Sequence, residues 1–154
     1  MKPLLALLIG FMLHVQVFSQ NKDEDEIKKL CLAETEAYNN FDFDKLASFH
    51  VKGPTDQVTW NTADGSFGFH TGWDNIAKGL KEWFATAKKE KPEQTTDNFQ
   101  YYISGNLAFV SYSTTSKNEQ GKITKMRSNK TLKRIKGQWK ILTIQAYIDF
   151  SGNK

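Results

Sequence analysis

Glu34 stands where a carboxylate is costly. In "EDEIKKLCLAETEAYNN" (residues 24–40), Ile27, Leu30, Cys31, Ala37 and Tyr38 recur at helical spacing, Phe41 continues them, and Glu34 falls in the same apolar stripe. Burial raises a carboxyl pKa and suits it to shuttling protons; a hydrogen-bonded structural acid fits the same position. His50 is its candidate partner, because a short connection folds a second helix, "FDFDKLASFH", back beside the first. Glu34 and His50 are therefore the candidate catalytic pair, for proton transfer or hydration, with Tyr112 or Tyr101 assisting. Trp60 and Trp73 are candidate ligand-lining side chains, and Arg127 a candidate grip for a carboxylate at a pocket mouth. His70 precedes a turn and is expected to be exposed.

The ends and the composition bound these roles. Met1, Lys2 and Pro3, the run "LLALLIGFMLHVQV" and the small Ser19 make a secretory signal peptide over residues 1–19, cut before Gln20. The run is too short to span a bilayer with ease, since about 20 residues are needed, so no stable membrane anchor is expected after cleavage. The protein is then exported, periplasmic or secreted, and residues 20–154 form one domain. Removing Lys2 leaves 20 basic against 17 acidic residues, a net charge of +3. Nine Lys or Arg fall between Lys117 and Lys140 against the single acid Glu119, as expected for strands with one wet face. No aromatic lies between Lys117 and Gln138 to stack on bases, so nucleic acid is not an expected partner. Cys31 is the one cysteine, and after cleavage His50 and His70 are the only histidines. No metal and no cofactor is expected.

The elements that must position these residues change character near residue 95. "TGWDNIAKGLKEWF" reads as an amphipathic helix with Thr71 and Asp74 at capping-box spacing and Trp83 and Phe84 in its core stripe. Before it, Val58–Trp60 reads as a short strand and Asp64-Gly65 as a turn. After it, "DNFQYYIS" and "LAFVSYSTT" form a hairpin about Gly105-Asn106 that opposes Ile103 to Ala108, Tyr101 to Val110 and Phe99 to Tyr112. "KITKMRSNKTLKRI" and "WKILTIQAYIDF" complete a meander. Helices followed by strands predict an α+β fold.

Four phrases carry a resemblance: "AETEAYNNFDFDKL", "GWDNI", "GNLAFVSY" and "KGQWKI". In their order and spacing the chain resembles the nuclear transport factor 2-like superfamily, specifically its SnoaL-like bacterial members. That resemblance implies a cone-shaped α+β domain, with N-terminal helices packed on the concave face of a curved, mainly antiparallel sheet. It also implies a pocket between helices and sheet, and dimerisation through the sheet. Catalytic members often carry an Asp on a pocket strand, yet here no acid occurs in 99–115 or 123–148. Where related sequences often have histidines in the last strand, this chain has Thr143 and Gln145. Gln145 enters the candidate ligand-binding set with Trp60, Trp73, Tyr101, Tyr112 and Arg127.

Without the usual acid and base, the expected function is an exported domain binding a small apolar or aromatic molecule. An enzyme using Glu34 and His50, and a dimeric assembly domain without a ligand, are the alternatives. A homodimer is expected because both faces of the last strand carry apolar residues: Leu142, Ile144, Ala146 and Ile148 alternate with Ile141 and Tyr147. Mass spectrometry of protein from its native compartment is expected to find Gln20, free or cyclised, at the N-terminus; a full-length cytoplasmic product would contradict export.

Overall fold

The stripe holding Glu34 folds as the inward face of a long helix: Ile27, Cys31, Glu34 and Ala37 are buried, Leu30 and Phe41 half-buried, and Tyr38 sits at the exposed edge. The computed structural model describes residues 2–89 and 92–150, with side chains from Asn21 onward. Its elements are α1 (Lys2–Asn39), α2 (Phe43–Ser48), β1 (Gln57–Asn61), β2 (Phe67–Thr71), α3 (Trp73–Thr86), β3 (Glu93–Ser104), β4 (Leu107–Lys117), β5 (Ile123–Ile135) and β6 (Gln138–Ile148). The expected signal peptide and cleavage after Ser19 fall on residues whose side chains lie outside the described ones, and Glu90 and Lys91 lie outside the described residues. Among the described residues no helix is long and apolar enough to cross a membrane.

The six strands form one sheet in the order β2-β1-β6-β5-β4-β3. Every pairing is antiparallel except β1 with β6. This is the α+β arrangement expected, with helices on the concave side of a curved sheet. The β3–β4 register matches the hairpin reading: Ser104 opposes Leu107, Ile103 opposes Ala108 and Tyr101 opposes Val110. A bulge between Asp97 and Gln100, with Asn98 at φ 55°, leaves Phe99 stacked on Tyr112 at 4.8 Å.

Side chains alternate between faces along a strand, so the register sorts the wall. Ala108, Val110, Tyr112 and Thr114 of β4 face inward with Met126, Ser128, Lys130 and Leu132 of β5. On β6 a register shift beside Leu132 breaks the alternation: Ile141 faces inward, and beyond it so do Ile144, Ala146 and Ile148. Thr143, Gln145 and Tyr147 face outward. The expectation of an apolar outer face on the last strand is thereby corrected, because one extra residue puts both aliphatic sets on the inner side. The core gathers Ile27 and Cys31 of α1 against Val110, Leu132, Trp139 and Ile141.

Three local readings also change. β2 was not visible in "GSFGFH": its two glycines and exposed Phe67 and Phe69 disguise an edge strand. Gly68 is required there, because a Cβ would lie 2.4 Å from the Trp60 ring that covers it. The α3 cap is Gly72 at φ 79°, with no side-chain cap bond, rather than a Thr71–Asp74 box. Trp83 is 52% exposed, not core; the helix buries Ile76, and Phe84 stacks on Phe41 at 4.8 Å. Trp83→Ala is accordingly expected to cost less than about 1 kcal/mol in denaturant unfolding, whereas Leu132→Ala should cost about 2–5 kcal/mol.

Candidate functional site

The interior centres on charge. Lys130, 2% exposed, points from β5 at the Glu34 carboxylate of α1, with Nζ 2.5 Å from Oε2. The same ammonium lies 5.6 Å from the Tyr112 ring centroid. Burial alone would disfavour the ammonium, but Glu34, with Tyr112 and Cys31 nearby, outweighs it and raises the Lys130 pKa. Cys31 packs beside the pair; burial pushes its thiol up to about 11, which makes it an unreactive small hydrophobe.

Two inward positions further along β5, a second cation, Arg134, pairs with Asp23 of α1 and stacks over the Trp139 ring at 4.4 Å. Lys130 was the functional residue missed by the sequence reading, which assigned the basic run to a wet face. Its signal was parity, since Lys130 shares the inward phase of Met126, Ser128 and Leu132.

His50 is the other interior polar group. Its backbone bridges to Ile141 at the edge of β6, and its ring, 5% exposed, packs on Trp73 at 5.1 Å. Its Nε2 has no hydrogen-bond partner. The expected Glu34–His50 pairing is thus replaced: Lys130 takes the carboxylate. Burial lowers the His50 pKa to about 4, with Glu34 pulling upward and Lys130 and Lys52 pushing down. The loop before β1 fixes this corner. Fully buried Asp56 accepts hydrogen bonds from Lys52 N (3.0 Å) and Gly53 N (3.2 Å), and Gly53 O in turn receives Trp73 N at 3.0 Å.

The remaining candidates divide. Tyr112 is buried against the pair, and Tyr101 shares Lys130's inward row two strands away. Trp60 faces inward, half-buried, with His70 at 5.2 Å. His70 is not the exposed residue expected; it is half-buried beside α3, where a Cβ on Gly79 would lie 2.4 Å from its Nε2. Arg127 and Gln145 are exposed on the outer face, in the rows of Ser113 and Asn129, and do not belong to this interior. The wall opens toward β1: Trp60, Met126, Ile144, Ala146 and Ile148 face inward yet remain only half-buried. A separate open depression of about 560 Å³ lies at the β3–β4 hairpin, and its walls include neither Glu34, Lys130 nor His50. Among the described residues no group of three His, Cys, Asp or Glu is placed to hold a metal ion.

The SnoaL-like domain profile matches residues 27–146, from the first core isoleucine of α1 to the inner wall of β6. The chain belongs to the SnoaL-like domain family. Solved structures place the SnoaL-like domain in its wider fold. An NTF2-like protein of unknown function from Pseudomonas putida KT2440 superposes with a TM-score of 0.69 at 13% identity, covering 87% of this chain and 93% of that one. A protein from Novosphingobium aromaticivorans DSM 12444, given the provisional name scytalone dehydratase, superposes at 0.67 with 16% identity, covering 86% and 88%. A cystatin-like-fold protein of unknown function from Nostoc punctiforme PCC 73102 gives 0.65 at 14%, covering 84% and 92%. These likenesses establish the fold. Among curated protein sequences no match is found.

The depressed His50 pKa makes stability depend on pH. An unfolded chain protonates this histidine near 6.5, while the folded domain resists protonation until about 4. Between those values unfolding takes up a proton, so stability falls as pH drops from 6.5 to 4, by about 3 kcal/mol in all. Denaturant unfolding across that window is expected to show a shallower loss in His50→Phe than in the wild type.

Proposed function

We propose that this chain is an exported small-molecule-binding domain, its ligand seated between α1, α3 and the inner face of the sheet. The observation that carries the reading is the buried, unpartnered Nε2 of His50 in the same interior as an otherwise compensated ion pair. A buried polar atom left without a partner costs about 1–3 kcal/mol, and a ligand group offsets that cost. Aromatic side chains surround the approach: Trp73 against His50, Trp60 along the wall, and Tyr38 and Phe41 about Phe84.

Catalysis by Glu34 and His50 is the alternative. It draws support from the provisional dehydratase name of the Novosphingobium protein and from a carboxylate and an imidazole in one interior. Against it, Glu34 is engaged by Lys130, and an imidazole of pKa about 4 is a weak base at neutral pH.

Nile red, a neutral fluorescent probe, is expected to bind the wild type, and Trp73→Ala to weaken it roughly tenfold, about 1.4 kcal/mol. Absence of any Nile red signal from the folded wild type would contradict a binding hollow.

A homodimer through the outer sheet face completes the proposal. Phe67 and Phe69 on the edge strand β2 are 62% and 64% exposed there with their rings 6.5 Å apart, and Tyr102 on the opposite edge strand β3 is 70% exposed, so each edge of this face presents aromatic surface for a second copy to cover. Light scattering is expected to return twice the chain mass, and Phe67→Glu with Phe69→Glu to shift it toward the monomer; a wild-type monomer at micromolar concentration would contradict it.

A further inference from the structure

Five buried side-chain polar atoms among the described residues have no hydrogen-bond partner, and their positions separate them. Thr59 and Ser111 belong to the outer face, in one row with Gln145 and Asn129. Arg134 Nε and Trp139 Nε1 belong to the Asp23 cluster, where the guanidinium covers the indole. Only His50 Nε2 belongs to the interior that holds the Glu34–Lys130 pair, its ring packed on Trp73 and within electrostatic reach of both charges.

Resting on the binding reading above, we infer that the ligand is a small uncharged aromatic alcohol or phenol whose hydroxyl bonds His50 Nε2, and that ionised analogues are rejected. The exclusion of ions follows from charge balance. Lys130 and Glu34 neutralise each other at 2.5 Å, Arg134 and Asp23 do the same, and Thr96 and Thr114 bond one another at 3.4 Å. Among the described residues an incoming ammonium finds no interior carboxylate that is not already engaged, and an incoming carboxylate finds only the exposed Lys52, whose ammonium lies 5.7 Å from the Trp73 ring; drawing either charge into this interior is heavily penalised.

The hydroxyl follows from the imidazole. Burial keeps His50 neutral at pH 7, so one ring nitrogen donates and the other accepts. A hydroxyl both donates and accepts, and it therefore satisfies Nε2 in either tautomer. A carboxylate serves only a protonated Nε2 and an ammonium only a bare one. The aromatic body follows from Trp73, packed against His50, and from Trp60 on the inner wall, both only half-buried.

Isothermal titration of the purified protein with para-cresol, toluene, para-toluate and para-methylbenzylamine separates the possibilities at constant ring size. Para-cresol is expected to bind at least about tenfold more tightly than the other three. His50→Phe should erase its advantage over toluene, and His50→Gln, which keeps a polar atom, should restore part of it. If para-cresol and toluene bind equally, the hollow exists but His50 does not select, and the inference falls while the binding reading stands. Tighter binding of para-toluate or of the amine overturns it as well. If none of the four binds a folded wild type at millimolar concentration, the binding reading falls and takes the inference with it. Should His50→Phe not fold, the wild-type series alone decides.

Discussion

Two ion pairs tie the longest helix to the middle of the sheet, and the interior is arranged around them. Glu34 meets Lys130 and Asp23 meets Arg134, so acids 34 − 23 = 11 residues apart on α1 match cations 134 − 130 = 4 residues apart on β5. Those separations are roughly 16 Å along a helix and 13 Å along a strand, comparable enough for both pairs to close at once. The order is reversed between the two elements, so α1 runs antiparallel to β5. Apolar packing supplies most of the free energy, at about 1.5–3 kcal/mol for each fully buried aliphatic side chain such as Ile27, Leu132 or Ile141. It does not specify how far α1 slides along the sheet. The ion pairs do, because a shift of one helical turn would strand two charges in the core.

The same constraint sets the chemistry of the interior. With Glu34 held by Lys130, the carboxylate is a fixed half of a neutral pair. His50, close enough to feel both charges and deprived of water, stays uncharged and keeps one nitrogen unused. What the domain offers a guest is then one neutral hydrogen-bonding atom in an aromatic setting. Asp56 contributes at a distance: by holding the turn at Lys52 and Gly53, it fixes where α3 begins and so where Trp73 meets His50.

Much of the frame was legible in the sequence. The hairpin about Gly105-Asn106 fixed the face of six residues, and the α1 stripe located Glu34 in the core. Asp42 caps α2 by accepting Lys45 N at 3.0 Å. The unreadable parts share a cause, which is that they depend on contacts between distant segments. Lys130 looks like any cation in a basic run until α1 supplies Glu34. The extra residue near Leu142 reverses which aliphatics of β6 face inward, and no local signal marks it. Arg127 and Gln145 were drawn into the pocket by chemistry and by resemblance, while strand parity turns both outward. Trp83 has the spacing of a core residue, but Tyr38 and Phe41 of the α1 end pack on its neighbour Phe84 instead, and Trp83 stays 52% exposed.

The mutual dependence of Glu34 and Lys130 is open to direct measurement by a double-mutant cycle in denaturant unfolding. Lys130→Met alone leaves an uncompensated carboxylate in the core and is expected to cost about 3–5 kcal/mol, while the double variant Glu34→Leu/Lys130→Met recovers most of that loss. A Lys130→Met protein within about 1 kcal/mol of wild type, or a double variant whose loss is the sum of the singles, would contradict the account.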